Sequence, residues 1–141
     1  MKKKVLFVCI HNSARSQIAE AYLKKAASEV YDVFSAGLEQ GTLNPIVVEA
    51  MKQDGIDISG NRTKSVTEFL DAGVEFDHVI TVCDESSAEQ CPVFLGKGNR
   101  MHWGFEDPSG LGGSYDEKLV RVKQIRDQIK AKVTDWVSGR I

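Results

Sequence analysis

Val5-Leu6-Phe7-Val8-Cys9-Ile10-His11-Asn12-Ser13-Ala14-Arg15-Ser16 is the stretch that decides the fold. Its apolar start reads as a buried strand, and the Ala-rich run beginning near Ala14 reads as a helix. The strand therefore delivers Cys9 to a turn that a helix N-terminus closes. Five residues separate Cys9 from Arg15. That length lets the chain curl with successive backbone N–H groups turned inward, and the helix adds the partial positive charge of its first turn. The product is a cradle for a tetrahedral oxyanion, formed by Ile10, His11, Asn12, Ser13, Ala14, Arg15 and Ser16, with Cys9 beneath it.

Only a thiolate is a good nucleophile, and a free cysteine is mostly protonated at neutral pH. The inward N–H groups, the helix N-terminus and the Arg15 guanidinium all favour the anion at Cys9. The planar fork of Arg15 also suits two oxygens of a tetrahedral anion and the charge that builds up in a transition state. Asn12 braces the turn through its amide, while Ser13 and Ser16 offer hydroxyls to the Cys9 sulfur. His11 reads either as a further positive group near the thiol or as a solvated loop residue pointing outward. A buried cysteine ending a strand and a solvated arginine would share the spacing. The strand before, the helix after and the small or polar residues between favour the anion site.

Outward from this segment, short apolar runs alternate with helical patterns, which implies an α/β fold with a parallel sheet. The first helix is expected from near Ala14 to Ser28, with Ile18, Tyr22 and Ala26 on one face. A second strand is expected over Tyr31 to Ser35. Asn44-Pro45 supplies a cap and a first-turn proline for a helix through Met51. Ser65-Val66-Thr67-Glu68 is a capping box opening a short helix through Leu70. Phe76 to Val82 reads as a central strand buried on both faces, and Asn99 to Trp103 as a fourth strand before a Gly-rich loop from Gly104 to Ser114. The last helix, about Asp116 to Val137, carries Leu119, Val122, Ile125, Ile129, Val133 and Trp136 as an apolar stripe that belongs to the core.

Ligands of open parallel sheets bind at the carboxyl ends of the strands. Cys9, Cys83 and Asp107 all fall there. Proline biases its predecessor toward an extended backbone, so Pro108 helps fix where the Asp107 carboxylate points. A carboxylic acid over the anion would protonate the oxygen that leaves when Cys9 attacks. An ordinary Asp-Pro turn is the plainer alternative. Seven residues separate Cys83 from Cys91. A bond between them requires that segment to loop out, because neither an extended nor a helical segment brings the two thiols within bonding reach. Equally, Cys83 reads as a small strand-end residue and Cys91 as a loop thiol.

Composition agrees with one small enzyme domain spanning residues 1–141. A chain of 141 residues with 42% hydrophobic residues has enough apolar material for one core. A net charge of −2 gives no basic footprint for nucleic acid, and no long apolar run suggests a membrane span. Met1-Lys2-Lys3-Lys4 resembles the start of a signal peptide, but the apolar run from Val5 to Ile10 is too short for one, so a cytoplasmic location is expected. In that compartment three cysteines read as reactive or merely buried thiols, not as a disulfide framework. A monomer is expected.

Cys9-x5-Arg15-Ser16-Gln17-x-Ala19-Glu20, Ser35-Ala36-Gly37, Asn44-Pro45, Gly55-Ile56-Asp57-Ile58-Ser59, Cys83, Cys91-Pro92 and His102-Trp103-Gly104-Phe105-Glu106-Asp107-Pro108 together resemble the thioredoxin-coupled arsenate reductases over nearly the whole chain. That family shares the fold of the low-molecular-weight protein tyrosine phosphatases. The resemblance implies a three-layer α/β fold, a four-stranded parallel sheet flanked by helices. It also implies a relay in which Cys9 attacks arsenate held by the loop and Arg15 while Asp107 assists departure of hydroxide. Cys83 then attacks Cys9 and releases arsenite. Cys91 attacks Cys83, and the Cys83–Cys91 disulfide is reduced by thioredoxin. Each step is thiolate attack on an adjacent sulfur or arsenic, so no metal or organic cofactor is needed.

The chain departs from the family pattern at three places. Ala14 stands where a second loop cysteine is common, which leaves the relay intact. Cys83 and Cys91 lie one residue further apart. Some members bind potassium through Asn, Glu, Ser and Asp; Asn12, Glu20 and Ser35 match, but Ser65 replaces the aspartate, so no metal is expected. A phosphatase of the same fold, with a phosphocysteine at Cys9 and Asp107 as acid, is the main rival. It would require aromatic residues at the mouth, whereas Ser109-Gly110 follows Pro108 and only Tyr115 lies nearby. A non-catalytic oxyanion or redox sensor is a further alternative, although no output element is evident.

Overall fold

The structure, a computed structural model, describes residues 2–82 and 99–139. Its elements in chain order are β1 (Lys3–Cys9), α1 (Arg15–Ala27), β2 (Tyr31–Gly37), α2 (Pro45–Gln53), α3 (Val66–Asp71), β3 (His78–Thr81) and β4 (Asn99–His102). A 3-10 turn at Pro108–Gly110 and the long helix α4 (Tyr115–Val137) complete them. The strands form one parallel sheet in the order β2-β1-β3-β4. Both the α/β class and the four-stranded parallel sheet flanked by helices are as the sequence implies.

Alternation along β1 explains why the sheet is covered on both sides. Val5, Phe7 and Cys9 join the larger core, to which α1, α2 and α4 contribute Ile18, Leu23, Met51, Ile125 and Ile129. Leu6 and Val8 point the other way, into a smaller core with Ala36, Val66, Phe76 and Val79. On that second face Phe34, Phe69 and Phe76 meet edge to face, with centroids 5.5–5.7 Å apart. Fully burying a side chain of this size is worth roughly 1.5–3 kcal/mol, so β1, apolar on both faces, is the strand around which the layers assemble.

Several boundaries differ from the sequence reading for identifiable reasons. β2 extends two residues past Ser35, because Cys9 pairs with Gly37 in the ladder. Phe76 precedes β3 and serves the core through its ring. Ala26 is exposed, and the buried face of α1 runs instead through Ile18, Tyr22, Leu23 and Ala27. At 3.6 residues per turn each step of four drifts around the helix, so a second such step leaves the core stripe. α4 begins at Tyr115 because Ser114 and Glu117 form a capping box. The caps at Asn44 and Ser65 lie where the sequence puts them.

The sheet order fixes where a ligand would lie. From β1 the chain moves outward to β2 and then crosses back to β3, so the order reverses between β1 and β3. The carboxyl end of β1 is beside that switch point, the place where open α/β sheets present their crevice. Cys9 is the last residue of β1.

Candidate active site

Residues 10–14 form a tight loop between β1 and α1, with Asn12 in the left-handed region at φ 55°. Asparagine tolerates that conformation better than most residues, and its side chain repays it with local hydrogen bonds. A strap formed by residues 38–44 lies against the outside of the loop. The N–H groups of Leu38, Glu39, Gly41 and Asn44 donate to the carbonyls of Cys9, Ile10, His11 and Ser13 at 2.8–3.0 Å. With these carbonyls turned outward, the N–H groups of His11 to Arg15 find no hydrogen-bond partner among the described residues. Ala14 caps α1 without a side-chain acceptor, so the first-turn N–H groups of the helix join them. Unpaired donors at a helix N-terminus suit an anion.

The strap fits only because of two glycines. A Cβ on Gly37 would stand 2.5–2.6 Å from Glu39 O, Asn12 N and the His11 carbonyl carbon, and one on Gly41 would stand 2.6 Å from His11 Cβ. The Ser35-Ala36-Gly37 motif thus has a steric reason that spacing alone does not reveal.

Inside the loop, Cys9 Sγ lies 2.9 Å from Ser16 Oγ, and Asn12 Nδ2 donates to that hydroxyl at 2.7 Å. Ser13 serves through its carbonyl, and no side-chain hydrogen bond joins it to Cys9. His11 is half-exposed at the rim, with Nδ1 3.8 Å from Glu39 Oε2. Lys64 donates its backbone N–H to Asn12 Oδ1 at 2.9 Å. Burial lowers its ammonium below the ordinary lysine range, against the opposing pull of Glu20.

Arg15 is 3% exposed, far from the solvated helix residue of the plainer reading. Its Nη1 donates to the Phe105 carbonyl at 3.0 Å, and its Nη2 lies 3.7 Å from Asp107 Oδ2. The core holds this partner segment in place: Trp103 packs on Phe7 and Trp136 with ring centroids 5.9 Å apart in each case. Asp107 is partly exposed and accepts from Ser109 N at 2.9 Å, which opens the 3-10 turn and fixes the carboxylate. A buried guanidinium needs close anionic partners to offset its desolvation, and a carboxylate at 3.7 Å is a loose one. An oxyanion entering the cradle would complete that pairing.

Cys9, Arg15, Ser16 and Asp107 therefore converge at one end of the sheet, ringed by the loop from Ile10 to Ala14. Cys83 and Cys91 lie outside the described residues. The oxygens that match a potassium set have protein partners. Glu20 accepts from the Ser35 hydroxyl and pairs with Lys24 Nζ at 2.6 Å, while Asn12 Oδ1 accepts from Gln17 and Lys64. Among the described residues no three His, Cys, Asp or Glu side chains are grouped to hold a metal, and no helix is long and apolar enough to cross a membrane. Sequence reasoning missed the Phe105 carbonyl, Gly41 and the buried Gln17. Only the last carries a readable cue, a polar residue one place beyond Arg15-Ser16 on a helix face that must pack.

The model of the low molecular weight phosphotyrosine protein phosphatase family matches residues 4–139. The chain belongs to that family. Among relatives of this phosphatase-family chain, an arsenate reductase of Halalkalibacterium halodurans is 39% identical over 132 residues, 94% of this chain and 93% of the relative. A solved arsenate reductase in the phosphate binding state superposes with a TM-score of 0.75 at 32% identity, covering 99% of this chain and 98% of that one. A thioredoxin-dependent arsenate reductase of Corynebacterium glutamicum superposes with a TM-score of 0.63 at 27% identity, over 94% of this chain and 62% of the other. The resemblance read from the sequence is borne out: the chain is an enzyme of the phosphatase family on its arsenate reductase branch.

Proposed function

We propose that the chain reduces arsenate to arsenite through a relay of Cys9, Cys83 and Cys91, with thioredoxin as the final reductant. The observation that carries this reading is the buried Cys9 thiol, 2.9 Å from the Ser16 hydroxyl at the foot of a loop whose N–H groups have no partner among the described residues, in a chain that also holds two further cysteines. Cys9 Sγ bonds to arsenic as a hydroxyl leaves with a proton from Asp107, while Arg15 and the loop N–H groups hold the other oxygens. Cys83 then attacks Cys9 Sγ. The new S–S bond forms as the S–As bond breaks, and its electron pair stays on arsenic, which leaves as arsenite. Cys91 displaces Cys9 from Cys83, and the Cys83–Cys91 disulfide takes two electrons from the thioredoxin dithiol. The kinship with arsenate reductases, one of them named thioredoxin-dependent, supports the substrate and the reductant. The chain is proposed to act as a single-domain cytoplasmic monomer without metal or organic cofactor.

The family description favours one second reading, hydrolysis of aryl phosphates through a phosphocysteine at Cys9. The mouth argues against it, since Ser109 and Gly110 follow Pro108 and the next aromatic after them in sequence, Tyr115, is an exposed residue opening α4. Steady-state NADPH oxidation with arsenate, thioredoxin and thioredoxin reductase separates the two. Turnover that Cys83→Ser and Cys91→Ser each abolish supports the relay. No arsenate turnover together with aryl phosphate hydrolysis indifferent to both substitutions would leave the phosphatase.

A further inference from the structure

Two backbone groups fix the direction of a chain of side-chain hydrogen bonds beneath the anion loop. The Lys64 N–H donates to Asn12 at 2.9 Å, so the amide atom it meets is oxygen and the Asn12 amino group is the one facing Ser16 Oγ at 2.7 Å. The Arg62 carbonyl accepts from Gln17 at 3.3 Å, which turns the Gln17 amino group toward it and toward Asn12 Oδ1 at 3.0 Å. Gln17 Oε1 is then left to accept from Asn61 Nδ2 at 3.1 Å. Donation runs one way, from Asn61 to Gln17 to Asn12 to Ser16. Because Ser16 Oγ already accepts from Asn12, its single hydrogen is free to donate to Cys9 Sγ, 2.9 Å away.

We infer that Gln17 and Asn61 are positioning residues for Cys9, holding Asn12 in the one orientation that makes the Ser16 hydroxyl a donor to the thiolate. A hydroxyl that donates stabilises the anion, whereas one that accepts from a thiol stabilises the neutral form. Aligned hydrogen bonds also polarise one another in a low-dielectric interior. Asn12, Ser16 and Gln17 are each 0% exposed, so water does not compete for these bonds. A glutamine kept only for packing would have no need to meet an asparagine oxygen and a backbone carbonyl with the same amino group. The inference rests on Cys9 being the nucleophile of the proposed reaction, not on which oxyanion it attacks.

The test follows alkylation of Cys9 by iodoacetamide against pH in the reduced, full three-thiol chain, reading the Cys9 peptide by mass spectrometry. Gln17→Met keeps the volume and removes the donor, while Asn61→Ala cuts the chain at its exposed end. Arg15, Asp107, His11, Glu39 and Lys64, the charged side chains around the loop, are the same in all proteins compared. The acidic limb of the profile is expected to move to higher pH, with alkylation on that limb slowed about threefold to tenfold in Gln17→Met and about twofold in Asn61→Ala. The alkaline plateau is retained. Ile129→Val, a core change that weakens packing elsewhere, leaves the profile in place. A profile in either folded variant that superimposes on the parent overturns the inference, and Asn61→Ala decides alone if Gln17→Met does not fold. No oxyanion enters the measurement, so a parent chain that fails to reduce arsenate contradicts the proposed function and leaves this result standing.

Discussion

Arg15 Nη2 lies 3.7 Å from Asp107 Oδ2, joining the start of α1 to the loop after β4 across the mouth of the cradle. The same guanidinium bonds the Phe105 carbonyl, so the acid and the cation are set by one short segment. Asp107 serves that segment as well as the chemistry, because it caps the turn through Ser109 N. Asp107→Asn keeps an oxygen for this cap and removes the acid, together with the negative charge 3.7 Å from Arg15. Arsenite release in a single turnover is expected to slow by about a hundredfold to ten-thousandfold while arsenate still binds. Release at the parent rate would exclude Asp107 as the proton donor.

Arg15→Lys tests the fork. A lysine ammonium cannot reach the Phe105 carbonyl and two oxyanion oxygens together from the same buried stem. Turnover is expected to fall by about a hundredfold to a thousandfold, with weaker phosphate binding by calorimetry. Unaltered binding and turnover would mean that Arg15 is only a structural cation.

Gly37→Ala puts a methyl group where Asn12 N and the His11 carbonyl carbon already stand at 2.6 Å. Since the neighbours are backbone atoms, the loop itself has to shift. A stability loss of about 1–3 kcal/mol by urea unfolding is expected, together with weakened phosphate binding. An unfolding midpoint equal to the parent's would show that the strap yields without cost.

Much of this arrangement is legible in the residues. The apolar run through Val8, the small polar loop and the Ala-rich helix announce the cradle, and Asn44-Pro45 and Ser65 to Glu68 announce their caps. Less legible is whatever depends on contacts between segments distant in sequence. Arg15 reads as an anion-binding residue, but its burial and its bond to the Phe105 carbonyl depend on Trp103, packed on Phe7, which brings that distant segment to it. Gln17 carries no local signal of its partners, because Asn12 and Asn61 reach it from other segments. The end of β2 is set by its ladder with Cys9, a partner that no local propensity encodes.

His78 opens β3 with its ring edge-on to Tyr31 and Trp136, centroids 6.2 and 5.2 Å away, and its Nδ1 is buried without a hydrogen-bond partner. Burial first, and the Lys3 ammonium second, hold it below the ordinary histidine range. The unfolded chain therefore takes up this proton at higher pH than the folded one. Stability from the neutral ring is complete above the ordinary value of about 6.5 and declines as pH falls from there toward the depressed value. The urea midpoint should drop between about pH 7.5 and about pH 5 in the parent, and drop less in His78→Phe. Equal drops in the two proteins would remove His78 as the source.

The central claim, the three-thiol relay, is tested most directly by adding one equivalent of arsenate to the fully reduced protein, quenching by alkylation and mapping disulfides by peptide mass spectrometry, with phosphate as the control. The account predicts a Cys83–Cys91 disulfide that forms only with arsenate, together with released arsenite and an alkylatable Cys9. If Cys9, Cys83 and Cys91 all remain alkylatable after exposure to arsenate, the relay is contradicted.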